Sequence, residues 1–207
     1  MGNQELRYLR AFSSLYIILF VLLFMGLIVP VSGLPVEVWN RTYDGEGMQD
    51  EGFDVIAPPD GGYVITGGVT TMTGGEDLVL IKTDSIGNET WQKRYGGFGH
   101  DWGMKVLSTG PGYALIGSTQ SFQPDSNTDA WLIMTDESGN ELGNQTYGGI
   151  GWEEAFSGYT VPEGGFIITG YSSSFSDDHV AYLWLVRTDD GGNELWNRTI
   201  STLYTSV

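Results

Sequence analysis

Asp77-Leu78-Val79-Leu80-Ile81-Lys82-Thr83-Asp84 decides how this chain is read, because the stretch returns at residues 129–136 and again at residues 182–189. Face by face the three copies agree. Val79, Trp131 and Trp184 share one side with Ile81, Ile133 and Val186; Leu78, Ala130 and Leu183 share the other with Leu80, Leu132 and Leu185. Side chains alternate across a strand, so both surfaces of this stretch are apolar. Such a strand needs sheet above and below it, unlike the one-sided alternation of a strand facing water.

Three other stretches repeat around it. The clearest is Gly62-Tyr63-Val64-Ile65-Thr66-Gly67, echoed at residues 112–117 and 165–170. Another falls near residues 52–57, 103–108 and 156–161. The last opens on a register position held by Trp39, Trp91, Gly143 and Trp196, at spacings of 52, 52 and 53 residues, and covers residues 39–43, 91–95, 143–147 and 196–200. A period of this size belongs to stacked supersecondary units. The connections carry turn chemistry: Asp84 to Asn88, Asp136 to Asn140 and Asp190 to Asn193 each place glycine where a hairpin needs positive φ. No stretch after residue 34 shows the helical apolar period. The expectation is an all-β array of four-stranded antiparallel sheets packed face to face around an axis.

The shared pattern is tryptophan, Tyr-Gly-Gly, an acidic residue, Gly-Gly-Tyr with aliphatics and a glycine, then aliphatics closed by Thr-Asp-x-x-Gly-Asn. It resembles the β-propeller repeats of secreted or cell-surface proteins of archaea and bacteria, over about residues 37–200. The resemblance implies a propeller of four-stranded blades; it implies little about activity, since propellers host many. The third unit departs at Gly143 and at Tyr182, where the others have Asp77 and Asp129. With the tryptophan strand outermost, three blades run about 52–95, 103–147 and 156–200, and residues 37–43 are left as an orphan edge strand. Closed rings usually need at least about four blades. The array is therefore expected to be part of a ring, truncated or completed by self-association with another copy.

The amino terminus is a separate object. Arg7 and Arg10 precede an uncharged apolar run at residues 15–29, followed by Pro30-Val31-Ser32-Gly33. This order reads as an export signal over residues 1–33, with an uncleaved apolar helix anchoring the chain in the membrane as the competing reading. Either way residues 34–207, the repeat domain, face the extracytoplasmic side, secreted or membrane-anchored at the surface.

Composition narrows the chemistry. There is no cysteine, so disulfides, thiol catalysis and thiolate metal sites are excluded. A formal charge of -17 repels phosphate backbones, which argues against nucleic acid. Four Asn-x-Thr sequons, at Asn40, Asn88, Asn144 and Asn197, are glycosylation candidates in an exported chain; the plain alternative is polar strand-edge residues. The Asp-x-x-Gly-Asn turns lack the ligand ladder of a calcium loop, so no metal and no cofactor is expected. His100 and His179 read as loop residues, and the pairs Glu153-Glu154 and Asp177-Asp178 as solvated loops rather than glycosidase carboxylates. Trp102 and Trp152, in the connections after Tyr-Gly-Gly, are candidates for contact with a carbohydrate or protein ligand. Trp39, Trp91 and Trp196 are expected to pack between blades. The function expected is a non-catalytic binding or envelope-interaction module. A carbohydrate-active propeller enzyme and a truncated remnant of a longer surface protein are the alternatives.

Overall fold

The stretch apolar on both faces, at residues 77–84, 129–136 and 182–189, lies inside a sheet rather than at its edge. The computed structural model describes residues 38–43, 49–72, 75–122, 127–175 and 180–200. Among them run β1 (Asp50–Ile56), β2 (Tyr63–Thr70), β3 (Glu76–Thr83), β4 (Glu89–Tyr95), β5 (Asp101–Ser108), β6 (Gly112–Thr119), β7 (Asp129–Asp136), β8 (Glu141–Tyr147), β9 (Glu153–Thr160), β10 (Phe166–Ser172), β11 (Tyr182–Thr188) and β12 (Glu194–Ile200). They form three four-stranded antiparallel sheets of consecutive strands: sheet I is β1-β2-β3-β4, sheet II β5-β6-β7-β8 and sheet III β9-β10-β11-β12. The tryptophan-register strands β4, β8 and β12 are sheet edges, as expected. The apolar leader, the helix expected there and the boundary at 33/34 lie outside the described residues. Contacts divide the chain into Met1–Asn40 and Arg41–Val207, and every strand belongs to the second unit.

Consecutive sheets face one another because both surfaces of their middle strands are apolar. The face bearing Val79, Trp131 or Trp184 is here the leading face, and the opposite one the trailing face. The trailing face of sheet I, with Val64, Leu78, Leu80 and Tyr95, packs on the leading face of sheet II, with Tyr113, Leu115, Trp131 and Ile133. The trailing face of sheet II, with Ala114, Ile116, Ala130 and Leu132, receives Phe166, Ile168, Trp184 and Val186. Trp131 and Trp184 are the largest fully buried side chains, each seated against the preceding sheet. Each first strand carries a register shift, near Gly52/Asp54, Gly103/Lys105 and opposite Thr169/Gly170. A bulge bends and twists a strand, so its recurrence gives all three sheets the same local shape.

A tyrosine ties each junction. Tyr95 ends β4 and its hydroxyl donates to the Gly139 carbonyl in the β7–β8 turn, at 2.7 Å; Tyr147 ends β8 and donates to Gly192 in the β11–β12 turn, at 2.6 Å. Both phenols are buried, so each needs an acceptor, and the turn carbonyl of the next sheet supplies one. Gly139 makes this approach feasible: at φ +72° it closes the turn, and a Cβ there would fall 2.8 Å from the Trp91 ring.

Residues 38–43 carry no regular secondary structure, so the edge strand expected at 37–43 is not seen among them. Backbone groups form a strand only with a neighbouring ladder to bond to. Tyr43 nevertheless repeats the junction contact. Its hydroxyl donates to the Gly87 carbonyl of sheet I at 2.9 Å, and its ring packs with Ile65 against Val69, Val79 and Ile81.

Candidate functional site

Sheets II and III start where the preceding fourth strand ends and successive strands run antiparallel, so the described residues of the connections within 71–75, 96–100, 120–128, 148–152 and 173–181 emerge at one end. Two buried carboxylates hold these connections. Asp101, first in β5, accepts from the Gly97 N–H at 3.0 Å, from the Ser121 hydroxyl at 2.6 Å and from the Thr119 hydroxyl. Glu153, first in β9, accepts from the Gly149 N–H at 2.8 Å, the Ser172 hydroxyl at 2.7 Å and the Ser174 N–H at 3.0 Å. Both are fully buried. Reading Glu153-Glu154 as a solvated loop is corrected for both: they open β9, Glu154 half-buried opposite Tyr171, and the charge of Glu153 is met by backbone and hydroxyl donors, which makes a buried carboxylate tolerable.

The connections so fixed display apolar side chains. Met72, Phe98, Phe122, Ile150, Trp152 and Phe175 are all exposed at this end, Phe98 at 99 % and Trp152 at 51 %. Two of the aromatic ones are braced by the core: Phe122 tilts on Trp131 with centroids 5.2 Å apart, and Phe175 stacks on Trp184 at 5.7 Å. The opposite end is built of Asp, Asn, Gly and Pro turns, with Ile86 exposed among them. A cluster of exposed apolar side chains rimmed by polar ones is a usual mark of an interaction surface.

Trp102 and Trp152, expected together, occupy different places. Trp102 lies in β5, half-buried, and its Nε1–H donates to Glu76 Oε2 at 2.5 Å. His100 stacks on it at 5.6 Å and faces the same carboxylate, Nδ1 to Oε2 at 3.3 Å. Sequence reading missed this grouping of Glu76, His100 and Trp102, because Glu76 opens β3 and His100 lies 24 residues on, in the connection before β5. Trp152 precedes β9 in the connection itself, where its N–H donates to the Ser173 hydroxyl at 2.8 Å. His179 and the Asp177-Asp178 pair lie outside the described residues. No group of three or more His, Asp or Glu side chains among the described residues converges as a metal site.

The register tryptophans separate too. Trp91 packs against the sheet I–sheet II core, 6.4 Å from the Tyr113 ring. Trp196 is exposed on sheet III, and Trp39 is half-buried outside any strand. The sequon asparagines Asn88, Asn144 and Asn197 have structural work. Asn144 Oδ1 accepts from Trp131 Nε1 at 3.3 Å while its Nδ2 donates to Glu141; Asn197 does the same for Trp184 and Glu194. Asn88 Nδ2 donates to Asp84 Oδ2 at 2.9 Å within its turn. Asn40 is exposed.

Electrostatics follow from these contacts. Hydrogen bonds from the backbone and side chain of Asn88 hold the Asp84 carboxyl below the usual range, and Asn140 and Asn193 do so for Asp136 and Asp189. Burial pushes the Tyr95 and Tyr147 phenols well above theirs, with nearby carboxylates adding to the rise. Burial also pushes Tyr171 up to about 12, aided by its bond to Glu154. No protein-family model matches the chain, and no curated protein matches it.

Proposed function

We propose that this chain is an exported, surface-displayed segment of β-propeller architecture that binds a component of the cell envelope through its connection end, without chemistry of its own. The propeller reading is supported by three consecutive four-stranded meanders that face one another at a period of about 52 residues. Export is supported by the order of positive, apolar and small residues over residues 7–33. The binding role is carried by one observation: the connections at a single end expose Phe98, Phe122, Ile150 and Trp152 on a base held by Asp101 and Glu153. Rigidly presented aromatic faces stack on sugar rings or fill apolar pockets of a protein, at little entropic cost.

The test is retention of the full chain on isolated envelopes of its host. The double variant Phe98→Ser, Trp152→Ala should weaken retention on the order of tenfold or more. Periodate treatment of the envelopes identifies a carbohydrate partner, protease treatment a protein one. Undiminished retention of the double variant would remove the connection end from the function.

A second reading, part of a carbohydrate-active enzyme, is favoured by Glu76 and His100 standing beside Trp102. Hydrolysis of a polysaccharide panel that disappears in Glu76→Gln would establish it in place of the first.

A further inference from the structure

Among the described residues, no sheet covers the trailing face of sheet III. Leu183 is 51 % exposed, whereas its counterparts Leu78 and Ala130 are at 0 %. Ile200 is 50 % exposed, whereas Tyr95 and Tyr147, at the same register, are at 8 % and 4 %. Trp196 lies open beneath the Arg198 guanidinium, 5.4 Å from its centroid, while the matching Trp91 closes over the Gly139 turn of sheet II.

The chain itself displays, twice, what fits a trailing face: the leading face of another sheet of this repeat. The leading face of sheet I holds a groove of about 450 Å³ lined by Tyr43, Ile65, Val69, Val79 and Ile81, with Asp50 and Glu51 at its rim. Tyr43 sits there as Tyr95 sits on sheet II, its hydroxyl on the homologous turn carbonyl. Tyr43 therefore stands where the fourth strand of a preceding sheet would end. The stretch that ends at Tyr43, Trp39-Asn40-Arg41-Thr42-Tyr43, differs from Trp196-Asn197-Arg198-Thr199-Ile200 of β12 in its last residue alone.

We propose that a second copy of this chain covers the open face: sheet III of one copy docks on sheet I of the other, whose residues 39–43 take the place of β12 beside β11. The exchange resolves a conflict, since Ile200 and Tyr43 would otherwise compete for one place above Gly87, and only tyrosine brings the hydroxyl that this carbonyl accepts. Charge agrees with the fit. Arg41 holds the register of Lys93, which in the internal junction donates to Asn140 at 3.2 Å beside Asp136. The homologous turn on sheet I offers Asp84, whose carboxyl Arg41 helps hold below its usual range, so the arriving segment brings its own charge partner. Different surfaces of the two copies meet, a heterologous contact, and two copies joined at both ends bring six sheets into one ring.

The full chain has no cysteine, so introduced thiols are the only ones present. Leu185→Cys and Ile65→Cys variants are purified separately in detergent, then treated with a short bismaleimide alone and after mixing. The expected result is a cross-linked pair containing one of each variant, formed after mixing and not in either preparation alone. Cross-linking of Leu185→Cys with itself would mean two trailing faces meet back to back, and would overturn the proposal. Failure to cross-link, with a monomer in native mass spectra at high concentration, would overturn it as well. Leu185→Asp, at a position the monomer leaves half-open, should lower association at least about tenfold, as expected when a charge is buried without a partner. Its circular dichroism should not change. Association that survives this variant undiminished would place the contact elsewhere. Envelope retention is read separately, so the connection-end function can fail while this contact stands.

Discussion

Sheets II and III follow one strand plan, with the same bulge, the same Asp-x-x-Gly-Asn turn and an apolar middle strand on both faces, yet they differ in what they bury. Leu132 in sheet II is fully buried beneath sheet III, while its counterpart Leu185 is half-open. Apolar pattern alone thus marks a face as coverable; the neighbour decides whether it is covered. The largest effect that separates the two sheets is a truncation at this register. Leu132→Ala should cost about 2–5 kcal/mol in urea unfolding, the usual range for a buried leucine. Leu185→Ala in dilute monomer should cost less than about 1 kcal/mol. Equal losses would mean that the trailing face of sheet III is covered in solution.

The connection end offers the next contrast, between a carboxylate inside and one outside. Glu153→Ala leaves the Gly149 N–H and the Ser172 hydroxyl without their acceptor, and the Ser174 N–H with the Ser172 hydroxyl alone. The expected cost is about 1–3 kcal/mol, with faster amide exchange at residues 149–152. Glu163→Ala, at an exposed turn, should stay within about 0.5 kcal/mol. A neutral Glu153→Ala would show that the connection is held by something other than this side chain.

Much of the fold was legible because the repeat states it three times. The period, the strand positions to within two or three residues, and positive φ at Gly87, Gly139 and Gly192 all follow from residue types. What escaped was whatever depends on two sheets meeting. Glu153 reads as polar surface until Thr128, Ser172 and the Gly149 backbone close around it. His100 reads as a lone loop residue until Glu76 arrives from the preceding sheet. The tyrosine tie left a trace in the sequence, since Tyr43, Tyr95 and Tyr147 precede Gly87, Gly139 and Gly192 by 44, 44 and 45 residues. A spacing that matches across repeats but falls short of the period points to contact between neighbours. The orphan strand at 37–43 failed for the complementary reason: its sequence is that of an edge strand, and a strand without a ladder beside it does not form.

The tyrosine ties also distinguish a closed junction from an open end. Tyr147→Phe removes the hydroxyl from the II–III junction and leaves the Gly192 carbonyl buried without a donor, an expected cost of about 0.5–1.5 kcal/mol. Tyr43→Phe acts on a half-buried hydroxyl at the open end, where water can replace it, and should cost less. If Tyr43→Phe proved the more damaging, residues 41–43 would be a structural part of sheet I rather than a docked end.

The smallest expected effect is the alkaline limit of the array, where the same tyrosines report on their junctions. Burial raises the folded pKa of Tyr95 and Tyr147 far above the ordinary phenol value of about 10, and that of Tyr43 by less, Arg41 working against its rise. A group whose folded pKa exceeds its unfolded value keeps its proton in the native state while the unfolded chain loses it. Stability from these phenols is therefore whole below about pH 10 and declines as pH climbs toward the folded values. Phenolate absorbance should show Tyr43 ionising before Tyr95 and Tyr147, and those two titrating together with the loss of sheet structure. In Tyr95→Phe the alkaline decline should become shallower, since one coupled proton is gone. A decline of unchanged steepness would mean that the I–II junction yields to base through some group other than its tyrosine, and the two closed junctions would no longer be alike.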